Sequence, residues 1–209
     1  MNSLSATTVG IDPYPNGKTY FVSCLQKHIS HTKLTQMLPP SPIYSPHASP
    51  LLASLQCQGQ SNDCGPYTCA TVINALLGLS LEAAELAQQM NRPRWRGAWF
   101  VVRRLPNWAT FPWGIVDVLR EHGLNASWRP FAKTAYLLEG LRRGYVLMPI
   151  LGGWRPLWAH VMTLVAWDVE KGWGFANTQF AHHDIHWLSD VLFQGQWRAM
   201  AHLLIEVRV

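Results

Sequence analysis

The fifteen residues from Cys64, CGPYTCATVINALLG, constrain this chain more than any other segment. Cys69, Ala70, Val72, Ile73, Leu76 and Leu77 recur at the i, i+3, i+4 and i+7 spacings that draw an apolar stripe along one helix face. Pro66 suits the first helical turn and Gly78 suits the left-handed residue that closes a helix. The spacing therefore predicts a helix that begins at Cys64. A thiolate there is stabilised by the positive end of the helix dipole. Gln58 stands six residues upstream, in QGQSND, and its carboxamide can donate a hydrogen bond to an oxyanion formed when sulfur attacks a carbonyl. Position alone does not decide, because free cysteines commonly serve as small buried apolar residues.

A thiol nucleophile needs a base, and the base needs an orienting group. Residues 158 to 167, WAHVMTLVAW, read as a buried strand entered by His160. DVEKG then reads as a turn and WGFAN as a returning strand ending at Asn177. The resulting hairpin carries His160 and Asn177, which could fix one ring nitrogen of the histidine and leave the other facing Cys64. A turn centred near Glu170 sets Asn177 opposite a residue two to four positions beyond His160, so contact needs a bulge or strong twist. Asp168 and Asp184 are alternative orienters.

Gln58, the Cys64-Gly65-Pro66 turn, a later histidine at the head of an apolar strand and an asparagine seventeen residues on resemble the papain-like cysteine peptidases. Within that group, QGQSNDCGPYTCATVINALLG is most similar to the peptidase C39-like, bacteriocin-processing enzymes that cut leader peptides after a double glycine, and to their stand-alone relatives. The resemblance spans roughly residues 51 to 209 and is specific around Gln58 to Gly78 and His160 to Asn177. It implies Cys64 as nucleophile, His160 as base and Gln58 as oxyanion donor. Asn177 falls where many of these peptidases have Asp and papain-type enzymes have Asn.

The rest of the chain agrees with one catalytic domain. A length of 209 residues with 48% hydrophobic content suffices for a sizeable core. No apolar run reaches the ~18 residues that span a membrane, and the N-terminus lacks the basic and apolar regions of a secretory signal, so a cytoplasmic location is expected. The cysteines at 24, 57, 64 and 69 form no CxxC pair, which argues against a disulfide scaffold or a structural zinc site; Cys57 and Cys69 read as apolar filler. Residues 1–50, with LPPSPIYSPHASP at 38 to 50, read as a poorly ordered extension and linker before a peptidase domain at 51–209.

Ser80 is a candidate cap for a helix in LEAAELAQQM, and Thr110 with Pro112 for one in FPWGIVDVLREHG. TAYLLEGLRRG reads as a further amphipathic helix, followed by strands near 145–151 and 200–207. Helices come first and strands mostly last, which is an α+β order: an N-terminal helical half with the thiol and a C-terminal antiparallel sheet half with the base, the active site in a cleft between them.

Arg92, Arg94, Arg96, Arg103 and Arg104 lie in 91–110 without an acid and match the net charge of +5. The favoured reading is a solvated loop near the cleft; a subsite for acidic peptides comes next, and nucleic-acid binding through the interleaved Trp95, Trp99 and Trp108 comes last. Most of the eleven tryptophans, Trp113, Trp167 and Trp187 among them, are expected in the core or cleft wall. His182, His183, Asp184 and His186 have metal-like spacing but no firm helix to align them, and read as an exposed loop.

These residues predict a papain-like α+β cysteine peptidase acting on a peptide or protein substrate through Cys64, His160, Asn177 and Gln58, without cofactor, metal or nucleic acid. A thiol acyltransferase or transpeptidase on the same scaffold would use the same acyl-enzyme and differ in what resolves it. A non-catalytic peptide-binding module is the alternative outside enzymes. The sequence leaves the oligomeric state open.

Overall fold

The computed structural model describes residues 42–209. Residues 1–41, with Cys24 and most of the expected extension, lie outside the described residues. Strand β1 (Ile43–Tyr44) pairs with a core strand and helix α1 (Ala48–Ala53) buries Leu51 completely. The boundary expected at residue 50 thus falls inside a packed helix, and the domain takes in at least residues 43–50 as well. An apolar Ile-Tyr pair and a Leu-Leu step outweigh the prolines around them.

Helix α2 (Cys64–Leu77) begins and ends where the apolar stripe predicts. Gly78 closes it with φ of 65° and donates its N–H to the Asn74 carbonyl at 2.9 Å. Helix α3 (Ala83–Met90) is capped from outside rather than by Ser80. Gln56 Oε1 accepts from Ala83 N–H at 2.8 Å, and Gln56 Nε2 donates to the Leu81 carbonyl at 2.7 Å. Two small hairpins follow, β2 (Arg94–Arg96) with β3 (Trp99–Val101) and β4 (Arg104–Leu105) with β5 (Ala109–Thr110). Helix α4 (Pro112–Glu121) starts on its proline, as predicted.

The remaining elements are β6 (Asn125–Arg129), α5 (Thr134–Arg142), β7 (Val146–Trp154), β8 (Leu157–Val161), β9 (Thr163–Asp168), β10 (Gly172–Ala176), β11 (His186–Leu188), α6 (Asp190–Ala199) and β12 (Leu204–Arg208). The strands of the main sheet pair antiparallel in the order β11-β10-β9-β7-β12-β6, with β1 added on β9 and β8 on β7. The fold is α+β, with helices gathered ahead of an antiparallel sheet.

Both sheet faces are covered. On one, Val72, Ile73, Ile115 and Leu119 of α2 and α4 pack with Val146, Met148, Val165 and Ile205. On the other, Leu137 and Leu141 of α5 and Phe193 and Trp197 of α6 pack with Leu147, Leu164 and Phe175. Burial on two faces is why VLMPIL in β7 runs apolar without alternation.

Six of the eleven tryptophans, at 95, 99, 108, 113, 128 and 154, are exposed, and those at 167, 173 and 197 are buried, so of the two placements expected, core or cleft wall, the core takes only a minority. Three of the six, Trp95, Trp99 and Trp108, belong to the small hairpins, whose outer sides face solvent. Trp113 instead stacks on Phe111 at 4.5 Å and donates Nε1–H to the Val102 carbonyl at 2.9 Å.

Candidate active site

The half-buried Cys64 is the first residue of α2, and its neighbour across the fold is the end of β8. The backbone groups of Val161 and Gly65 act on the Cys64 thiol, favouring its ionised form. One turn on, Thr68 Oγ1 donates to the Val161 carbonyl at 3.2 Å in a buried position. Residues i and i+4 share a helix face, so Cys64 and Thr68 both lie toward the residue next to His160, and Thr68 holds its carbonyl.

His160 Nε2 lies 2.8 Å from Asn177 Oδ1. The same oxygen accepts the backbone N–H of Gln179 at 3.0 Å. A backbone N–H can only donate, so the amide oxygen faces both groups and Nε2 carries the proton. The neutral ring then presents the Nδ1 lone pair on its other side, as a base requires.

The contact depends on an irregularity in the hairpin. β10 pairs with β9 from Gly172↔Asp168 to Gly174↔Ala166, then shifts by one to Phe175↔Leu164 and Ala176↔Thr163. Continuing that register sets Asn177 opposite Met162 instead of Thr163, one residue nearer His160. Of the alternative orienters, Asp168 accepts from the N–H groups of Glu170 and Lys171 within the turn, and Asp184 lies 3.8 Å from His182.

Gln58 is joined to the same segment. Its backbone N–H donates to the Thr178 carbonyl at 2.8 Å, and the Thr178 hydroxyl donates to its Oε1 at 2.8 Å. Gln58 Nε2 donates to the Ser61 carbonyl at 2.9 Å, which fixes the nitrogen end of the amide and engages one of its two hydrogens. Thr178 is buried and was not a sequence candidate; its only signal was adjacency to Asn177. Thr68 offered a clearer one, a hydroxyl four residues after the cysteine on a predicted helix.

Burial pushes the Cys64 thiol above its ordinary value of 9.0, against the backbone hydrogen bonds of Val161 and Gly65 and the charge of Arg104, which lower it; Asp63 adds to the rise. Burial also holds His160 below 6.5, while its hydrogen bond to Asn177 acts upward. At neutral pH the resting pair is therefore thiol and imidazole, not the thiolate that the helix end alone suggests.

The basic segment forms two small hairpins rather than a loop; Arg92 and Arg94 in its first half are solvent-exposed, as expected, and its last two arginines are not. Arg103 and Arg104 are buried. Arg103 pairs with Glu121 at 3.2 Å and donates to the Gln89 carbonyl at 2.7 Å, Arg94 also pairs with Glu121, and Arg104 pairs with Asp63. The acids that balance these arginines lie outside 91–110, so the run looked unpaired in sequence. Cys57 is exposed and Cys69 is buried. Among the described residues no cluster of three potential metal ligands occurs, and no helix is long and apolar enough to cross a membrane. Two cavities of about 330 Å³ lie elsewhere, one beside Gln56 and Asn74 and one between Tyr136, Tyr145 and Arg208.

No protein-family model matches this chain. No curated protein matches it. Among solved structures, it is similar to a crystal structure of a Bacillus anthracis protein provisionally described as a C39-like peptidase. The TM-score is 0.59 over 80% of this chain and 98% of that one, at 11% identity. The chain thus shares the fold of that C39-like peptidase structure, and at this identity the likeness carries architecture alone.

Proposed function

We propose that the chain is a cysteine peptidase, with Cys64 as nucleophile, His160 as base, Asn177 as orienting group and Gln58 as oxyanion donor. The observation that carries this reading is the His160–Asn177 hydrogen bond, whose polarity is set by the Gln179 N–H and which leaves Nδ1 free as a base. The described fold neighbour, a C39-like peptidase by its description, supports the same class.

In this mechanism the Cys64 proton passes to His160 Nδ1 as sulfur bonds to the carbonyl carbon of a peptide. Because the resting pair is neutral, transfer accompanies attack. The second Nε2 hydrogen of Gln58 meets the developing oxyanion. Collapse breaks the C–N bond, His160 returns its proton to the leaving amine, and a thioester remains on Cys64. Water then attacks with His160 again as base, releasing the acid and the thiol.

The test is intact-mass measurement with a peptide aldehyde or vinyl sulfone library, followed by hydrolysis of peptides built on the sequences that label. Labelling at Cys64 that disappears in Cys64→Ala, with peptide hydrolysis lost in both Cys64→Ala and His160→Ala, is the expected result. Peptide binding without cleavage or labelling in the parent protein would overturn the reading in favour of a binding module.

A further inference from the structure

We propose that Arg104 is a positioning residue for the Cys64 thiol, acting by clamping Asp63 and setting the charge that the sulfur meets. The β4–β5 hairpin touches the nucleophile turn at three points that bracket Cys64. Asn62 Nδ2 donates to the Asn107 carbonyl at 2.8 Å. The Arg104 guanidinium donates to Asp63 Oδ1. Thr110 packs on Gly65 so closely that a Cβ there would fall 2.5 Å from the Thr110 Cβ.

The hairpin is itself anchored. Arg103 ties its first strand to Glu121 of α4 and to the Gln89 carbonyl of α3, and the Arg103 carbonyl accepts Phe111 N–H at 3.1 Å. Two adjacent arginines therefore face opposite ways, one holding the hairpin to the helices and one reaching the site. Asp63 occupies the N-cap position of α2, yet its side chain makes no cap hydrogen bond. Its carboxylate is turned to Arg104, which is 2% exposed.

Stability alone does not call for this arrangement, because a buried ion pair commonly returns less than its desolvation costs and an apolar pair would serve as well. An ion pair at this place does something an apolar pair cannot. A lone carboxylate one residue before the nucleophile opposes thiolate formation, and the guanidinium offsets it; the two act on the Cys64 thiol in opposite directions. The further titratable group coupled to the sulfur is Cys69 on α2 itself, whose thiol burial drives far upward, so that it stays neutral.

Only the catalytic consequence rests on the peptidase reading; the thiol's environment is testable without turnover. The test uses the full chain with Cys24→Ser and Cys57→Ser, leaving Cys64 and the buried Cys69, and follows iodoacetamide alkylation of Cys64 by intact mass across pH. Arg104→Gln is expected to move the alkylation midpoint up and slow the reaction at pH 7 several-fold, and Asp63→Asn to move the midpoint down. Arg104→Lys, which keeps the charge, stays nearer the parent. All three lower the melting temperature, since each disturbs the same pair. Midpoints that move together, or do not move while the melting temperature falls, would show a purely structural clamp and overturn the proposal. If Arg104→Gln does not fold, Asp63→Asn decides alone: a downward shift supports the proposal and any other result refutes it. Opposite shifts in a protein that cleaves nothing would keep this inference and sink the peptidase reading.

Discussion

Replacing Thr178 by valine separates an oriented oxyanion donor from a glutamine that merely lies nearby. Thr178 is 1% exposed and its hydroxyl donates to Gln58 Oε1 at 2.8 Å, while Ser61 holds the nitrogen end of the same amide. Valine keeps the shape, so no cavity opens, and the loss is confined to one neutral hydrogen bond. Such a bond contributes about 0.5–1.5 kcal/mol net. Gln58 is only half-buried, so water can replace the donor and the stability loss sits at the low end, a melting-temperature shift of about 1–2 °C for a domain of this size. Orientation is another matter. If the whole bond energy serves to hold Nε2 toward the oxyanion, kcat falls between about two- and tenfold, because each 1.36 kcal/mol is a factor of ten. Ground-state binding does not use the donor, so KM stays constant. The assay is steady-state hydrolysis of a quenched-fluorescent peptide by the parent, Thr178→Val, Thr178→Ser and Gln58→Ala. Serine should restore the rate, and Gln58→Ala should lose about a hundredfold. An unchanged kcat in Thr178→Val, or a raised KM at constant kcat, refutes the reasoning.

Gln56→Ala should lower the melting temperature and leave kcat unchanged, since Gln56 bonds Ala83 and Leu81 at the start of α3; a kcat loss matching that of Gln58→Ala would show that the two glutamines have been assigned the wrong way round. Asn177→Asp keeps an acceptor for His160 Nε2 but places a carboxylate beside the ring, so the acid limb of kcat/KM should move to higher pH, and an unmoved limb would remove Asn177 from contact with the base. Because burial holds folded His160 below 6.5, the unfolded chain binds more protons as pH drops through 6.5 toward the folded value. Stability to urea should therefore fall across that window in the parent and fall less in His160→Gln; equal slopes in the two would contradict the buried, neutral imidazole.

What the sequence disclosed followed periodicity and local chemistry. The stripe from Cys69 to Leu77, Pro112 at the first turn of α4 and the amphipathic spacing of Thr134–Arg142 all marked helices at nearly their observed bounds. Helix α6 was overlooked although Ser189 caps it, accepting from Leu192 N–H at 3.4 Å, because its composition suggested no apolar stripe. The two small hairpins were hidden by their arginines. Arg104 and Asp63 are 41 residues apart, and Arg103 and Glu121 are 18 apart, so nothing in a local window shows that these charges are matched. Likewise the one-residue shift between Gly174 and Phe175 falls in mid-strand, away from the turn, where no local motif marks it.

The docking of the helix that carries the thiol follows from how the sheet ends. Among the described residues β8 pairs with β7 and with no other strand, so its second edge is a row of backbone donors and acceptors that no described strand takes. Helix α2 meets that edge with Thr68, which donates to the Val161 carbonyl. A buried carbonyl deprived of its partner costs about 1–3 kcal/mol, so the helix cannot slide along β8 without losing that much. Closure of the sheet edge and the docking of the helix that starts at Cys64 thus share the Thr68–Val161 contact. The same docking holds the sulfur at the helix start, where burial acts against the backbone hydrogen-bonding groups and favours the protonated thiol.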